Sequence, residues 1–103
     1  DFSLMYNKLA TIDLGPLSSC VDLKILGLSG NKLENIDLSP LSSLKKLEQI
    51  ELAKNGLQTI DLSPLKNCTS LRRIGLFGNQ LKEIDLDPLN SCPSFDFSSV
   101  NGI

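Results

Sequence analysis

The sequence predicts an α/β solenoid of about four right-handed βα coils, with a short parallel sheet on the concave side and short helical or 3-10 segments on the convex side. Three observations predict it. A set of residues recurs every 24 positions, so Leu47, Ile50, Leu52, Asn55, Leu57, Ile60, Leu62, Pro64 and Leu65 have counterparts from Leu23 to Leu41 and from Leu71 to Leu89. Within each copy apolar residues first alternate, as at Ile50 and Leu52, which is the period of a strand. Later they fall three apart behind a Ser-Pro pair, as at Leu65 and Cys68, which is the spacing of a short helix. A copy this short cannot bury its own apolar side. Copies therefore stack around one continuous core, each touching only its neighbours.

The repeats span 1–22, 23–46, 47–70 and 71–94, the first without its opening. Phe2 and Leu4, Leu26 and Leu28, Ile50 and Leu52, and Ile74 and Leu76 turn inward from strands lying about 4.8 Å apart. Asn31, Asn55 and Asn79 follow the strands. An inward Asn among leucines is costly unless hydrogen-bonded, so each amide is expected to pair with backbone of the next turn of the stack. Leu57, Ile60 and Leu62 then line the return path. Ser39-Pro40 and Ser63-Pro64 place a capping Ser before a Pro suited to the first helical position, with Asp87-Pro88 and Gly15-Pro16 as acidic and weak versions. About eight residues remain before the next strand, room for one or two helical turns. Strand inside and helix outside gives the right-handed sense. Residues 95–103 depart from the pattern: Phe95 and Val100 stay in phase, but Ser98 replaces an inward Ile and Ile103 replaces the Asn. This tail is expected to be either a degenerate capping coil or the start of a further segment.

The residues L-x-x-I/L-x-L-x-x-N-x-L fit at 23–33, 47–57 and 71–81, and in truncated form at 2–9. This pattern resembles the leucine-rich repeat family. The I-D-L-x-P-L ending gives a 24-residue unit, similar to prokaryotic and microbial members rather than to the plant-receptor type. The resemblance implies a module that grips protein partners at variable positions of its inner sheet.

Composition narrows the function further. The net charge of −2 argues against general binding to nucleic acid. No apolar run approaches the roughly 20 residues of a membrane span, so membrane insertion is not expected. The chain opens at Asp1 in mid-repeat, and we expect it to be part of a longer protein. Cys20, Cys68 and Cys92 share one repeat position, filled by Leu44 in the remaining copy. They are expected as free thiols in the core, with a Cys68–Cys92 bridge as the alternative. Free thiols favour a reducing, cytoplasmic setting.

Little in the chain points to catalysis, and the segment itself is expected to be non-enzymatic. It has no His, no Gly-rich phosphate loop and no metal-ligand spacing, so neither cofactor nor metal is expected. The column Asp13, Asp37, Asp61 and Asp85 reads as solvated carboxylates bonding local backbone, with a cation-binding ladder as the alternative. Asn67-Cys68-Thr69 matches a glycosylation sequon, read as a chance match beside free cysteines, with a true acceptor site as the alternative.

The candidate partner-binding residues are Met5, Tyr6, Lys24, Ile25, Glu51, Lys54, Arg72, Arg73 and Phe77, all at outward strand or strand-exit positions. Lys8, Lys24, Lys32, Lys54, Arg72 and Arg73 against Asp1, Glu48 and Glu51 leave this face at +3, which suits an acidic patch on a protein partner. Met5, Tyr6, Ile25 and Phe77 are large apolar groups where solvent is expected, and such groups anchor interfaces. The alternative is that isolated surface hydrophobes are ordinary, and that Gly27, Gly30, Gly75 and Gly78 merely leave shallow gaps. Two other functions compete. One is a structural spacer or scaffold that self-associates through open coil ends. The other is a set of repeats positioning substrate for a catalytic domain outside this segment.

Overall fold

The computed structural model describes residues 1–100. Strands β1 (Phe2–Ser3), β2 (Ile25–Gly27), β3 (Gln49–Glu51) and β4 (Arg73–Gly75) form one sheet in that order. All three pairings are parallel, and the register is the repeat itself: Phe2 lies opposite Leu26, Leu26 opposite Ile50, and Ile50 opposite Ile74. The return segments are 3-10 helices at Gly15–Ser19, Ser39–Leu41, Ser63–Asn67 and Asp87–Ser91. The fold is therefore the expected βα solenoid, with a concave sheet and short 3-10 segments opposite it.

The start of these helices corrects the expected capping. Ser39 and Ser63 are the first helical residues, with Pro second, and no side chain of the preceding cap residue bonds to the helix. The acceptor comes instead from the acidic column. Asp37 Oδ1 accepts the Ser39 N–H and Asp61 Oδ1 accepts the Ser63 N–H, both at 2.9 Å. Asp13 does the same for Gly15 at 2.8 Å, and Asp85 for Asp87 at 3.0 Å. A carboxylate two residues ahead of an N–H closes such a turn without backbone distortion. The column thus bonds local backbone, as expected.

The core is the aliphatic ladder. Leu26, Leu28, Leu33, Leu47, Ile50, Leu52, Leu57, Leu71, Ile74 and Leu76 are fully buried, each contributing about 1.5–3 kcal/mol. Leu41, Leu65 and Leu89 close it from the helical side. In the first coil, Phe2 and Leu4 are only partly buried, because among the described residues no coil covers their outer side, whereas Ile12 is partly buried like its counterparts Ile36, Ile60 and Ile84 in every coil.

The Asn residues pair with the preceding coil rather than the following one. Asn31 Oδ1 accepts the N–H groups of Asn7 and Leu9 at 3.0 Å, and its Nδ2 donates to the carbonyls of Leu4 and Leu28 at 2.9 Å. Asn79 repeats all four bonds with Asn55, Leu57, Leu52 and Leu76. Among the described residues, no buried side-chain nitrogen or oxygen lacks a partner.

The cysteines divide. Cys68 and Cys92 are buried free thiols; Cys20 is free but exposed, against expectation. The reason is the direction of the side chain. Cys68 Sγ lies 3.3 Å from the Leu41 carbonyl and Cys92 Sγ 3.6 Å from the Leu65 carbonyl, each against the preceding coil. Cys20 belongs to the first coil, and no coil gives it such cover among the described residues. Burial, reinforced by the nearby Cys92, pushes the Cys68 thiol up to about 11.

The tail re-enters the stack before departing from it. The Asp96 N–H bonds the Arg72 carbonyl at 2.8 Å, as the Arg72 N–H bonds that of Glu48. A 3-10 helix, Phe97–Val100, then replaces the strand. Ser99 Oγ accepts the Ile74 N–H of β4 at 3.3 Å, and Phe95 and Val100 are buried. The expectation about Ile103 lies outside the described residues. No helix among the described residues is long and apolar enough to cross a membrane.

Candidate interaction surface

The sheet is short, so its outward side chains are set by three residues per coil and by the bend that follows. That bend is the same in every coil. Tyr6, Gly30, Lys54 and Gly78 occupy one column and all take left-handed backbone, with φ of 58°, 75°, 57° and 78°. The ladder continues through them: the N–H groups of Tyr6, Gly30 and Lys54 bond the carbonyls of Ser29, Ala53 and Phe77 at 2.7–2.9 Å. Glycine takes this backbone without strain, whereas Tyr and Lys do not.

Side chains of one coil cover the glycines of the next. The Tyr6 ring lies over Gly30, and Lys54 Cγ lies over Gly78, 3.1 Å from where a Cβ would stand. Met5 and Ser3 cover Gly27, and the Glu51 carboxylate covers Gly75. The glycines therefore seat neighbouring side chains instead of leaving shallow gaps.

The ion pairs follow from this seating. Glu51 stands opposite Gly75 in register, has no side chain to meet there, and reaches Arg73 with a 2.7 Å contact to Nε. Hydrogen bonding to Glu51 raises the Arg73 guanidinium. Arg72 stands 3.7 Å from Glu48. Lys46 and Asp22, one repeat apart, meet at 2.8 Å at the strand-entry side. Both arginines of the candidate site are thus matched by glutamates of the preceding coil. Lys8, Lys24, Lys32 and Lys54 make no ion pair among the described residues.

The candidate residues fall into two groups. Lys24, Ile25, Glu51, Arg72 and Arg73 lie on or at the entry of the strands, with Ile25 and Glu51 half-buried and the rest exposed. Met5, Tyr6, Lys54 and Phe77 lie at the strand exits, where Tyr6 is 65% and Phe77 63% exposed. Ser29, read as outward, is buried, and its hydroxyl accepts the Ala53 N–H at 3.0 Å. The cross-coil pairing of Glu51 with Arg73 was not anticipated, although the 24-residue register and the glycine at 75 carry that signal. A depression on the flank beyond the strand exits, lined by Gln58, Thr59, Gln80, Lys82 and Glu83, also had no sequence signal. Among the described residues no group of three or more His, Cys, Asp or Glu is placed to hold a metal ion.

Comparison with known proteins bears on the fold and the family. No curated protein matches the chain. An internalin (inlF) from Listeria monocytogenes superposes with a TM-score of 0.58 at 25% identity, over 91% of this chain and 33% of that one. Internalin C2 from the same organism gives 0.51 at 24% identity, over 91% and 49%, a likeness of fold alone. The chain spans between a third and a half of these two proteins. The family model for the leucine rich repeat matches residues 21–81. That match over more than half of the sequence, with the Asn ladder and the parallel sheet it accompanies, shows that the chain belongs to the leucine-rich repeat family.

Proposed function

We propose that this chain is a protein-interaction module that binds a protein partner on its concave sheet, as part of a larger protein. Leucine-rich repeats and internalin-like neighbours point to protein interaction in general. One observation supports the concave side in particular. Large side chains, above all Tyr6 and Phe77, stand exposed there on a backbone held by an unbroken cross-coil ladder. Rigid, pre-placed anchors lose little ordering entropy on binding. Four coils offer limited area, so this segment supplies part of an interface. The free thiols favour a reducing, cytoplasmic setting for it.

The test places a photo-crosslinking residue at Gln49 on the sheet, and another at Ser42 on the opposite side. A protein captured at 49 and not at 42 is then titrated against Phe77→Ala and Arg72→Glu. Weaker binding with an unchanged thermal midpoint supports the reading. Unchanged affinity, or capture at 42 alone, overturns it.

Self-association is a second reading, favoured by one observation. The outer edge of β1 is unpaired among the described residues, beside the half-buried Phe2 and Leu4. Light scattering across a concentration series separates the two: a mass that rises with concentration, and falls back with Leu4→Lys, favours the scaffold.

A further inference from the structure

The geometry points to a ridge along the strand exits, built by Tyr6, Lys54 and Phe77 with Lys8 and Lys32 beside them, as the main contact for an acidic, extended segment of the protein partner. This deepens the concave-face reading and rests on it.

Backbone strain marks the ridge. Among the described residues, the non-glycine residues with left-handed backbone are Tyr6, Lys8 and Lys54, and all three stand on it. At 6 and 54 the same column carries glycine in the alternate coils, so glycine is compatible with the backbone there. A large side chain in its place adds strain, which its packing over the glycine of the next coil offsets in part, and it brings an exposed surface that glycine lacks. Such strain concentrates where a side chain serves recognition. Here it is held in place by the carbonyls of Ser29 and Phe77, which accept the Tyr6 and Lys54 N–H groups at 2.9 and 2.7 Å.

Charge points the same way. On the strands, Arg73 is matched by Glu51 and Arg72 by Glu48. Of the four lysines of the concave side without an ion pair among the described residues, three, Lys8, Lys32 and Lys54, stand on the ridge and one, Lys24, at a strand entry, so the greater part of the unmatched positive charge lies at the exits. Tyr6 and Phe77 stand at the two ends of this basic stretch. They are three coil steps apart, about 14 Å at the usual strand spacing, which about four or five extended residues span. An extended segment with carboxylates toward the lysines and an apolar or aromatic residue at each end matches that layout. A nucleic acid would meet the same lysines, but the chain is net acidic at −2, which opposes binding to a continuous polyanion.

The probe is a fluorescent glutamate–tyrosine copolymer, with a lysine–tyrosine copolymer and a single-stranded oligothymidylate as comparisons. We expect the acidic copolymer to bind best and its affinity to fall with added salt. Tyr6→Gly, Lys54→Gly and Phe77→Ala should each weaken it about ten-fold or more, with the thermal midpoints of the two glycine variants unchanged or raised. Arg73→Ala should weaken it less than any of these. A larger loss for Arg73→Ala than for the ridge variants overturns the ridge and leaves the concave-face reading standing. Equal losses for Lys66→Ala, on the opposite side, overturn both. Tighter binding of oligothymidylate overturns the acidic segment as occupant. A lowered midpoint in both glycine variants overturns the argument from strain.

Discussion

Tyr6 is seated on Gly30. The ring fills the space that a Cβ on Gly30 would need, and both residues hold left-handed backbone, at φ of 58° and 75°. Lys54 and Gly78 repeat the arrangement two coils later. A large residue and a glycine thus alternate along one column. The inner surface is shaped by what each coil lays on the next, as much as by its own residues.

Gly30→Ala meets two obstacles, the left-handed backbone and the Tyr6 ring. We predict a loss of roughly 2–3 kcal/mol, of which about 1–2 is the backbone. In a Tyr6→Gly background the overlap disappears and the loss shrinks toward the backbone share. Denaturant melts of the four proteins measure this coupling. Strictly additive losses would contradict the seating.

The Asn ladder predicts a contrast between coils. Asn31 is 7% exposed and makes four hydrogen bonds to backbone. Asn31→Ala leaves those groups without partners and should cost about 3–5 kcal/mol. Asn7 is exposed, and its side chain makes a single bond, to the Met5 carbonyl at 3.1 Å. Asn7→Ala should change stability by less than about 1 kcal/mol. Equal effects would show that repeat position alone, rather than cover by a preceding coil, sets the contribution.

Thiol labelling should see one cysteine in the native protein and three after unfolding. With Cys68 pushed up to about 11 by burial, only about one in a thousand of its thiols is ionised at pH 8. Cys92 is raised for the same reason, while Cys20 is exposed. Cys20→Ser should abolish the rapid phase. Rapid native labelling of all three would contradict the packing.

Acid should weaken the turns that open the helical segments. Hydrogen bonds from the Ser39 hydroxyl and amide hold Asp37 below the ordinary 3.8, and those from the Ser63 amide and hydroxyl do the same for Asp61. Ser98 acts likewise on Asp96. A carboxyl lowered by folding stabilises the fold above its unfolded pKa, and that stabilisation is lost as pH falls through the folded value. Stability should therefore be flat above about pH 5 and decline below about pH 4. Asp37→Asn with Asp61→Asn should flatten that decline in thermal melts between pH 2 and 5. An unchanged decline would place the acid sensitivity elsewhere.

How far the sequence spoke for itself varied with the kind of force involved. The ladder of Leu26, Ile50 and Ile74 was legible, because burial is decided by period and the period never slips. Asn31 was legible for the same reason: an amide among leucines has to bond. The capping role was read one step wrong, since Ser39 and Asp37 are both capping residues and a difference of two positions decides which one bonds. Cys20 is exposed because a column position implies burial only where a neighbouring coil packs against it, and among the described residues none stands before Cys20. The outward face was the least legible. Its residues are unconstrained by the core, and what they do depends on diagonal contacts, such as Glu51 passing Gly75 to reach Arg73, that a single-repeat view does not contain.

The most direct test of the central claim is a backbone-amide shift map by NMR. The isotopically labelled chain is titrated with the partner captured through Gln49. The account predicts that the largest changes fall on the strands and their exits, with Tyr6, Lys54 and Phe77 foremost, while Ser42, Lys66 and Ser91 on the helical side stay still. Changes concentrated at Ser42, Lys66 and Ser91, with the sheet unmoved, would contradict it.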